Sequence, residues 1–373
     1  MAYTGYTTYG YGHDFGNTKT AGVTHVAGQQ KSALIMPSAL AKGTLQDLQS
    51  KLAGSSSANL SAILHSTAHV LQVGDKSWYV GELAIAQNPN RNMEELTSRG
   101  DLSRYFDDRN LAMLLSTSGT LIPDAEYGLA VVANLPIDTH NETNVKRVKA
   151  ALDGDYVFYL DGRKRIAHVR VMKTIMEGAG ANIAYGPGGK AKVGVVDIGG
   201  RTTDAYLVNG QTPISDQCKS LDTGVETATN ALINAFMRQF DYPLTSSDAR
   251  AIMRAYSDSG DKDYGAIATV KNADIHPDRV DSLVESIVRE TGEKIAAFLK
   301  VLWGGSLQST VVASDVSCIL LVGGGAYYFE REIEAIFKKR LTTPDYPEYA
   351  NATGYEKLAT HYLQREQMKS QVS

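Results

Sequence analysis

The sequence predicts an α/β protein of two lobes produced by duplication, and three observations carry that expectation. The chain has 373 residues, more than one hydrophobic core usually organises. Each half opens with apolar strands joined by glycine turns and then passes into segments of helical periodicity. Between the halves, Gly186-Pro187-Gly188-Gly189 has the composition of a linker. The first lobe is read as residues 1–190, with a small inserted subdomain at about 38–100 and a C-terminal helix within 345–373 packing back onto it. The second lobe is read as 191–344, with a helical subdomain at about 226–305.

Taking the elements in order, residues 1–12 (MAYTGYTTYGYG) interleave Tyr3, Tyr6, Tyr9 and Tyr11 with Gly and Thr. That composition suits a flexible arm leading into the first strand, or a surface that stacks on bases or on a neighbouring subunit. Strands are expected at 11–15, 21–27 and 32–40, with Gly16 and Gly28 near the turns. Residues 41–62 are polar and weakly helical, and His69–Val73 with Trp78–Val80 form a hairpin around Gly74-Asp75. A helix follows at 110–118, a buried strand at 128–135 and a helix at 143–152. Tyr156–Leu160 and Ile166–Met172 form a further hairpin around Asp161-Gly162, and a short helix runs over 177–185. In the second half, Val193–Ile198 is a continuous apolar strand, Asp204–Val208 returns from it, and helices are expected at 225–240, 246–255 and 277–303. A strand at 318–322, helices at 329–340 and 355–364, and a break at Pro344 and Pro347 complete the chain.

Composition excludes several classes. Hydrophobic residues at 43% and charged residues at 21% are ordinary globular usage, unlike disordered or fibrous chains. A formal net charge of -4 gives no general attraction for a polyanion, so direct nucleic-acid binding is not expected. Cys218 and Cys318 are too few for a disulfide framework or a cysteine-rich zinc site, which fits a reducing cytoplasm. No apolar run reaches the roughly 18 residues of a membrane span, and the N-terminus is not basic and then apolar as a signal peptide is. The cytoplasm is therefore the expected compartment, with no membrane partner. There is no G-x-x-x-x-G-K-[ST] sequence, and His13, His65 and His69 lack metal-ligand spacing and are read as packing or surface residues. Lys146–Lys149 and Arg163–Arg165 read as a wet face, and Tyr105-Phe106-Asp107-Asp108-Arg109 as a contact patch, a solvated loop or a helix end.

The chemistry lies in three turns. Asp14-Phe15-Gly16-Asn17-Thr18-Lys19 closes the first hairpin, and Asp197-Ile198-Gly199-Gly200-Arg201-Thr202-Thr203-Asp204 stands at the corresponding turn of the second half. A carboxylate ending a strand, followed by Gly and Thr, suits a phosphate site. Glycine admits close backbone approach, successive N–H and hydroxyl groups donate to phosphate oxygens, and the aspartate can hold the water shell of Mg²⁺. Taken alone, the Asp14 turn also fits an ordinary hairpin, whereas the Asp197 sequence exceeds what a hairpin requires. Leu320-Leu321-Val322-Gly323-Gly324-Gly325 then runs a buried strand into a turn on which a nucleoside could lie.

The order strand-Asp, strand-Asp, strand-GGG resembles the actin-like ATPase superfamily. Within it the chain is most similar to the bacterial plasmid-segregation actins of the ParM group, through Ala133-Asn134-Leu135-Pro136, Val171–Ala181, Leu221–Glu226 and Tyr349–Tyr355. The resemblance implies a bilobal actin-like fold of duplicated ribonuclease-H-like domains with a nucleotide cleft between the lobes. It implies ATP or GTP with Mg²⁺, assembly with itself into filaments that hydrolysis destabilises, and a DNA-binding adaptor joining the filament to plasmid DNA. By the same resemblance Asp14, Gly16, Asn17, Thr18 and Lys19 form the first phosphate loop, and Gly199, Gly200, Arg201, Thr202 and Thr203 the second. Asp222 and Gly224 belong to the nucleotide site, Gly323, Gly324 and Gly325 to the adenosine side, and Asp14 and Asp197 to the metal. Glu177 would polarise the attacking water, with Asp197 the second catalytic residue; a carboxylate there could equally stabilise the first turn of a helix. Lys19 stands five residues beyond Asp14, where the family's lysine stands about seven beyond. Arg201 replaces a small residue, and could add a phosphate contact or point outward. A small-molecule kinase of the sugar type on the same superfold is the alternative function.

Overall fold

The computed structural model describes residues 5–16, 18–25, 32–52, 60, 62–88, 102–257, 275, 277–304 and 313–372; Tyr3, Asn17 and Gly28 lie outside them. The chain forms two compact units, one of Met1–Tyr185 with Glu348–Ser373 and one of Gly186–Pro347.

The first unit is built on strands β1 (Thr8–Phe15), β2 (Lys19–Thr24), β3 (Ser32–Pro37), β4 (Leu40–Lys42), β5 (Ala68–Val73), β6 (Lys76–Gly81), β7 (Glu126–Leu135), β8 (Gly154–Leu160) and β9 (Arg163–Met176). They form one nine-stranded sheet in the order β3-β2-β1-β7-β9-β8-β5-β6-β4. β1, β7 and β9 run parallel in its middle, while the flanking hairpins are antiparallel. Helices α1 (Leu45–Lys51), α2 (Glu82–Ala86), α3 (Asp108–Leu121), α4 (Glu142–Leu152) and α5 (Ala179–Tyr185) join them. α3 starts at an N-cap, Asp107, whose carboxylate accepts from the Arg109 N–H. Its Met113, Leu114 and Leu115 share a core with Tyr11, Phe15, Tyr127 and Val131.

Two readings of the sequence change here. The tyrosine-glycine arm is, from Thr8 onward, the central strand β1. Alternation explains it, because Tyr9 and Tyr11 are buried and hydrogen-bond Asp124 and Thr117, while Gly10 and Gly12 lie against the C-terminal helix, Ala350–Val372. A Cβ on Gly12 would overlap the Ala352 carbonyl oxygen and lie 2.6 Å from the Glu356 nitrogen. Gly12→Ala is therefore expected to destabilise the first unit by about 1 to 3 kcal/mol in chemical denaturation. Gly5→Ala, with no atom of the described residues within 4 Å of the added carbon, is expected to be neutral. The last helix, expected over 355–364, instead begins at Ala350. Its first turns bury Ala350, Ala352 and Gly354, Ala352 against Ala21 and Val23 of β2 and Gly354 on the Gly180 backbone of α5; such small residues give no strong hydrophobic period.

The second unit holds β10 (Lys192–Ile198), β11 (Thr203–Asn209), β12 (Thr212–Pro213), β13 (Lys219–Leu221), β14 (Cys318–Val322) and β15 (Leu341–Thr342). Their order is β12-β11-β10-β14-β15, with β13 on β11. β10 pairs antiparallel with β11 and parallel with β14, which brings Asp197 opposite both Asp204 and Val322. Helices α6 (Val225–Phe240), α7 (Ser246–Ser257), α8 (Pro277–Gly304) and α9 (Ala326–Phe337) supply the rest of the core. Along α8, Val280, Val284, Ile287, Val288, Thr291, Ile295 and Leu299 recur at helical spacing and are buried.

Candidate functional site

Each unit carries one group of the expected residues. In the first, Asp14 stands half-buried one residue before the end of β1, and the Gly16 N–H donates to the Lys19 carbonyl at 3.0 Å to close the hairpin. Thr18 is half-buried, with its carbonyl accepting from the Ser38 N–H. Lys19 is exposed at the start of β2, and Asn17 falls outside the described residues. Beside this turn stands a side chain the sequence reading used only for resemblance. Asn134, 1% exposed at the end of β7, accepts from the Phe15 N–H at 2.9 Å and donates through Nδ2 to Glu177 Oε1 at 2.8 Å. One amide thus ties the end of the first loop's strand to the expected catalytic carboxylate. Its polarity at the buried end of an apolar strand was the available signal.

Glu177 does not begin a helix. β9 ends at Met176, the Glu177 N–H donates to the Leu135 carbonyl at 3.0 Å, and α5 starts only at Ala179 after Gly178 at a φ of 84°. Its side chain instead accepts from the Tyr105 hydroxyl at 3.1 Å. Of the segment Tyr105–Arg109, Tyr105 is 1% exposed while Asp107 and Asp108 are exposed where they start α3, so it is a helix end with a buried tyrosine ahead of it; burial pushes the Tyr105 phenol well above its ordinary range. Nearby, burial lowers His13 to about 4, so the ring that hydrogen-bonds Asn110 is neutral. His69 is likewise a packing residue, bonded to Asp161, and His65 is exposed. Arg165, read as part of a wet face, lies half-buried over the Tyr127 ring and donates to the Ile122 and Asp124 carbonyls.

In the second unit the glycine turns converge on the end of β10. The Gly199 N–H donates to the Thr202 carbonyl at 2.9 Å. The first two amides of α6 lie under the turn, Val225 donating to Gly199 O at 3.1 Å and Glu226 to Gly200 O at 2.7 Å. A side chain at Gly224 would come within 2.5 Å of the Gly199 oxygen, so only glycine fits there. Gly323 has a φ of 80°, and a Cβ on it would overlap Asp197 Oδ1. The Gly325 N–H donates to the Ile198 carbonyl at 2.7 Å, and a side chain there would overlap Ile198. At Gly324 no atom of the described residues lies within 4 Å of an added Cβ. The triple glycine is thus pressed onto the Asp197 strand at its two ends and open at its middle, a surface that can lie flat against a ligand.

The remaining residues of this group are engaged by protein. The Thr202 hydroxyl donates to Asp204 Oδ2 at 3.0 Å and Ser220 donates to the other carboxylate oxygen. The buried Thr203 hydroxyl donates to the Thr223 carbonyl at 2.8 Å. Asp222 is exposed. Arg201 does not point outward; it is buried, and its Nε donates to Glu226 Oε2 at 3.0 Å. Glu226 also stands 3.7 Å from Arg250. A carboxylate on α6 thus anchors the arginine of the turn, a pairing between residues 25 positions apart that local reading misses. Among the described residues no group of three or more His, Cys, Asp or Glu could hold a metal. Of this group, Asp197 offers the oxygen chemistry that a hydrated hard cation such as Mg²⁺ takes as a partner, with its Oδ1 beside Gly323.

Two family models match the chain: the actin-like proteins' N-terminal domain over residues 12–180, and the C-terminal domain of the archaeal MreB-like actin homologue over 195–335. The chain belongs to the actin-like superfamily. Its two-lobed α/β fold is accordingly the actin-like one. Among solved structures this actin-like chain is similar to the archaeal actin homologue Ta0583 in complex with ADP, at 18% identity and a TM-score of 0.65, covering 95% of this chain and 99% of that one. It is similar to a ParM from a 15-stranded filament of Clostridium botulinum, at 18% identity and a TM-score of 0.67 over 95% and 99% of the two chains. It is also similar to Bacillus thuringiensis ParM with ATP, at 13% identity and a TM-score of 0.66 over 96% and 100%. No curated protein matches the sequence.

Proposed function

We propose that this actin-like protein binds a purine nucleoside triphosphate with Mg²⁺, assembles with itself into filaments, and hydrolyses the nucleotide to limit their lifetime. The observation that carries this reading is the junction of Asp197 with Gly323–Gly325, where backbone is cleared of side chains beside a carboxylate. Support comes from relatives of the same fold that hold ADP or ATP or form a filament. The Asp14 and Asp197 turns take the phosphates, and the open face at Gly324 takes the nucleoside. Mg²⁺ would neutralise phosphate charge, with Asp14 and Asp197 facing its water shell. Glu177 orients the attacking water and takes its proton, so catalysis is positioning and charge stabilisation. Segregation of plasmid DNA through a DNA-binding adaptor is the cellular role this reading favours, in the cytoplasm. Among the described residues no helix is long and apolar enough to cross a membrane.

Mg²⁺ with ATP or GTP is expected to convert the protein at tens of micromolar into filaments that sediment and are visible by electron microscopy. A chain that stays monomeric with both nucleotides across several salt concentrations refutes assembly and turns attention to sugar phosphorylation.

A further inference from the structure

Arg104 and Tyr105 lie in a short turn, Leu102–Tyr105, ahead of α3, and neither belongs to the glycine turns. Burying a guanidinium is expensive unless charge or hydrogen bonds offset it, yet Arg104 is 3% exposed and its Nη1 has no hydrogen-bond partner among the described residues. Its guanidinium lies 4.4 Å from the Tyr105 ring centre and 5.3 Å from that of Phe15. Nη2 donates to the Tyr105 phenol oxygen at 2.5 Å. An oxygen that accepts from Arg104 turns its own proton elsewhere, and that proton goes to Glu177 Oε1. The backbone of Tyr105 is fixed as well, since Asn110 Nδ2 donates to its carbonyl at 2.9 Å while Asn110 Oδ1 accepts from His13. Packing alone would be met by phenylalanine at 105, because the hydroxyl's hydrogen bonds go to Arg104 and Glu177.

We propose that Arg104 and Tyr105 are positioning residues for nucleotide hydrolysis: Arg104 orients the Tyr105 hydroxyl, and that hydroxyl, with Asn134, holds the Glu177 carboxylate in one orientation toward the attacking water. This rests on the nucleotide-hydrolysing function proposed above and adds to it two residues outside the phosphate turns. The groups acting electrostatically on the phenol are Arg104, Glu177 and, from β1, Asp14.

The test is Tyr105→Phe in the full chain, which keeps the ring and removes the hydroxyl. Phosphate release should fall about 10- to 100-fold in kcat, with KM and the affinity for a fluorescent nucleotide within about 2-fold of wild type. In a Glu177→Gln background the same change should add nothing. Should Tyr105→Phe melt below the assay temperature, Arg104→Lys carries the test with the same readouts, retaining charge without the planar fork. A wild-type kcat in these variants, or an undiminished loss in the Glu177→Gln background, overturns the positioning role and leaves the proposed function standing. Wild-type protein that binds nucleotide and releases no phosphate overturns both.

Discussion

Glu177→Gln is expected to lower phosphate release by about 10² to 10⁴-fold while leaving nucleotide affinity and filament assembly intact. The substitution is isosteric. A glutamine carbonyl oxygen can still accept from Asn134 Nδ2 and the Tyr105 hydroxyl, as Glu177 Oε1 does. What disappears is the capacity to take a proton from water. Filaments should then form at the wild-type rate and persist, because disassembly waits on hydrolysis. A carboxylate that served only a helix terminus would behave otherwise, with a loss of about 0.3 to 1 kcal/mol in stability and normal turnover. The structure already weakens that alternative, since α5 starts two residues later and the side chain turns toward β7 and Tyr105. Phosphate release, light scattering and thermal melting on one preparation separate the outcomes. Normal release would remove Glu177 from the catalytic group.

The elements that sequence reading located well are those whose burial is written locally. Val225–Phe240 and Cys318–Val322 have the expected limits, because an aliphatic run bounded by glycine or an apolar stripe at helical spacing suffices to define them. The start of β1, Thr8–Gly10, was read as arm and not as strand because the buried face there is tyrosine and the other face glycine, so the alternation that makes it a strand carries little aliphatic signal. The glycines are explained only by the helix some 340 residues later that presses on them. Of the three turns of the candidate site, the Asp197 turn stands out in sequence, since Asp, Gly and Thr cluster there beyond what a hairpin needs, whereas the Asp14 turn gains its meaning only from the order of all three. Their supporting partners were not legible. Tyr105 and Glu177 are 72 residues apart, Asn134 and Glu177 are 43 apart, and Arg201 finds Glu226 only because α6 begins beneath the turn. Threonine hydroxyls look alike in sequence whether they face a ligand or, as at Thr202 and Thr203, a carboxylate and a carbonyl.

Asp197→Asn is expected to abolish Mg²⁺-supported turnover, with phosphate release down by at least about 100-fold. Asparagine preserves the shape pressed against Gly323, so the fold and the glycine turn should survive and melting temperatures should stay close to wild type. The charge is what is lost, and its loss acts in opposite directions with and without metal. With Mg²⁺, the anion favours the hydrated cation that accompanies the phosphates, so the variant should bind nucleotide more weakly than wild type. In EDTA the same anion repels the phosphates, so the variant should bind as well as wild type or better. Titrating a fluorescent nucleotide into both proteins under both conditions measures the crossover. Equal weakening with and without Mg²⁺ would show that Asp197 supports the turn mechanically, and unchanged turnover in a folded variant would remove it from the site.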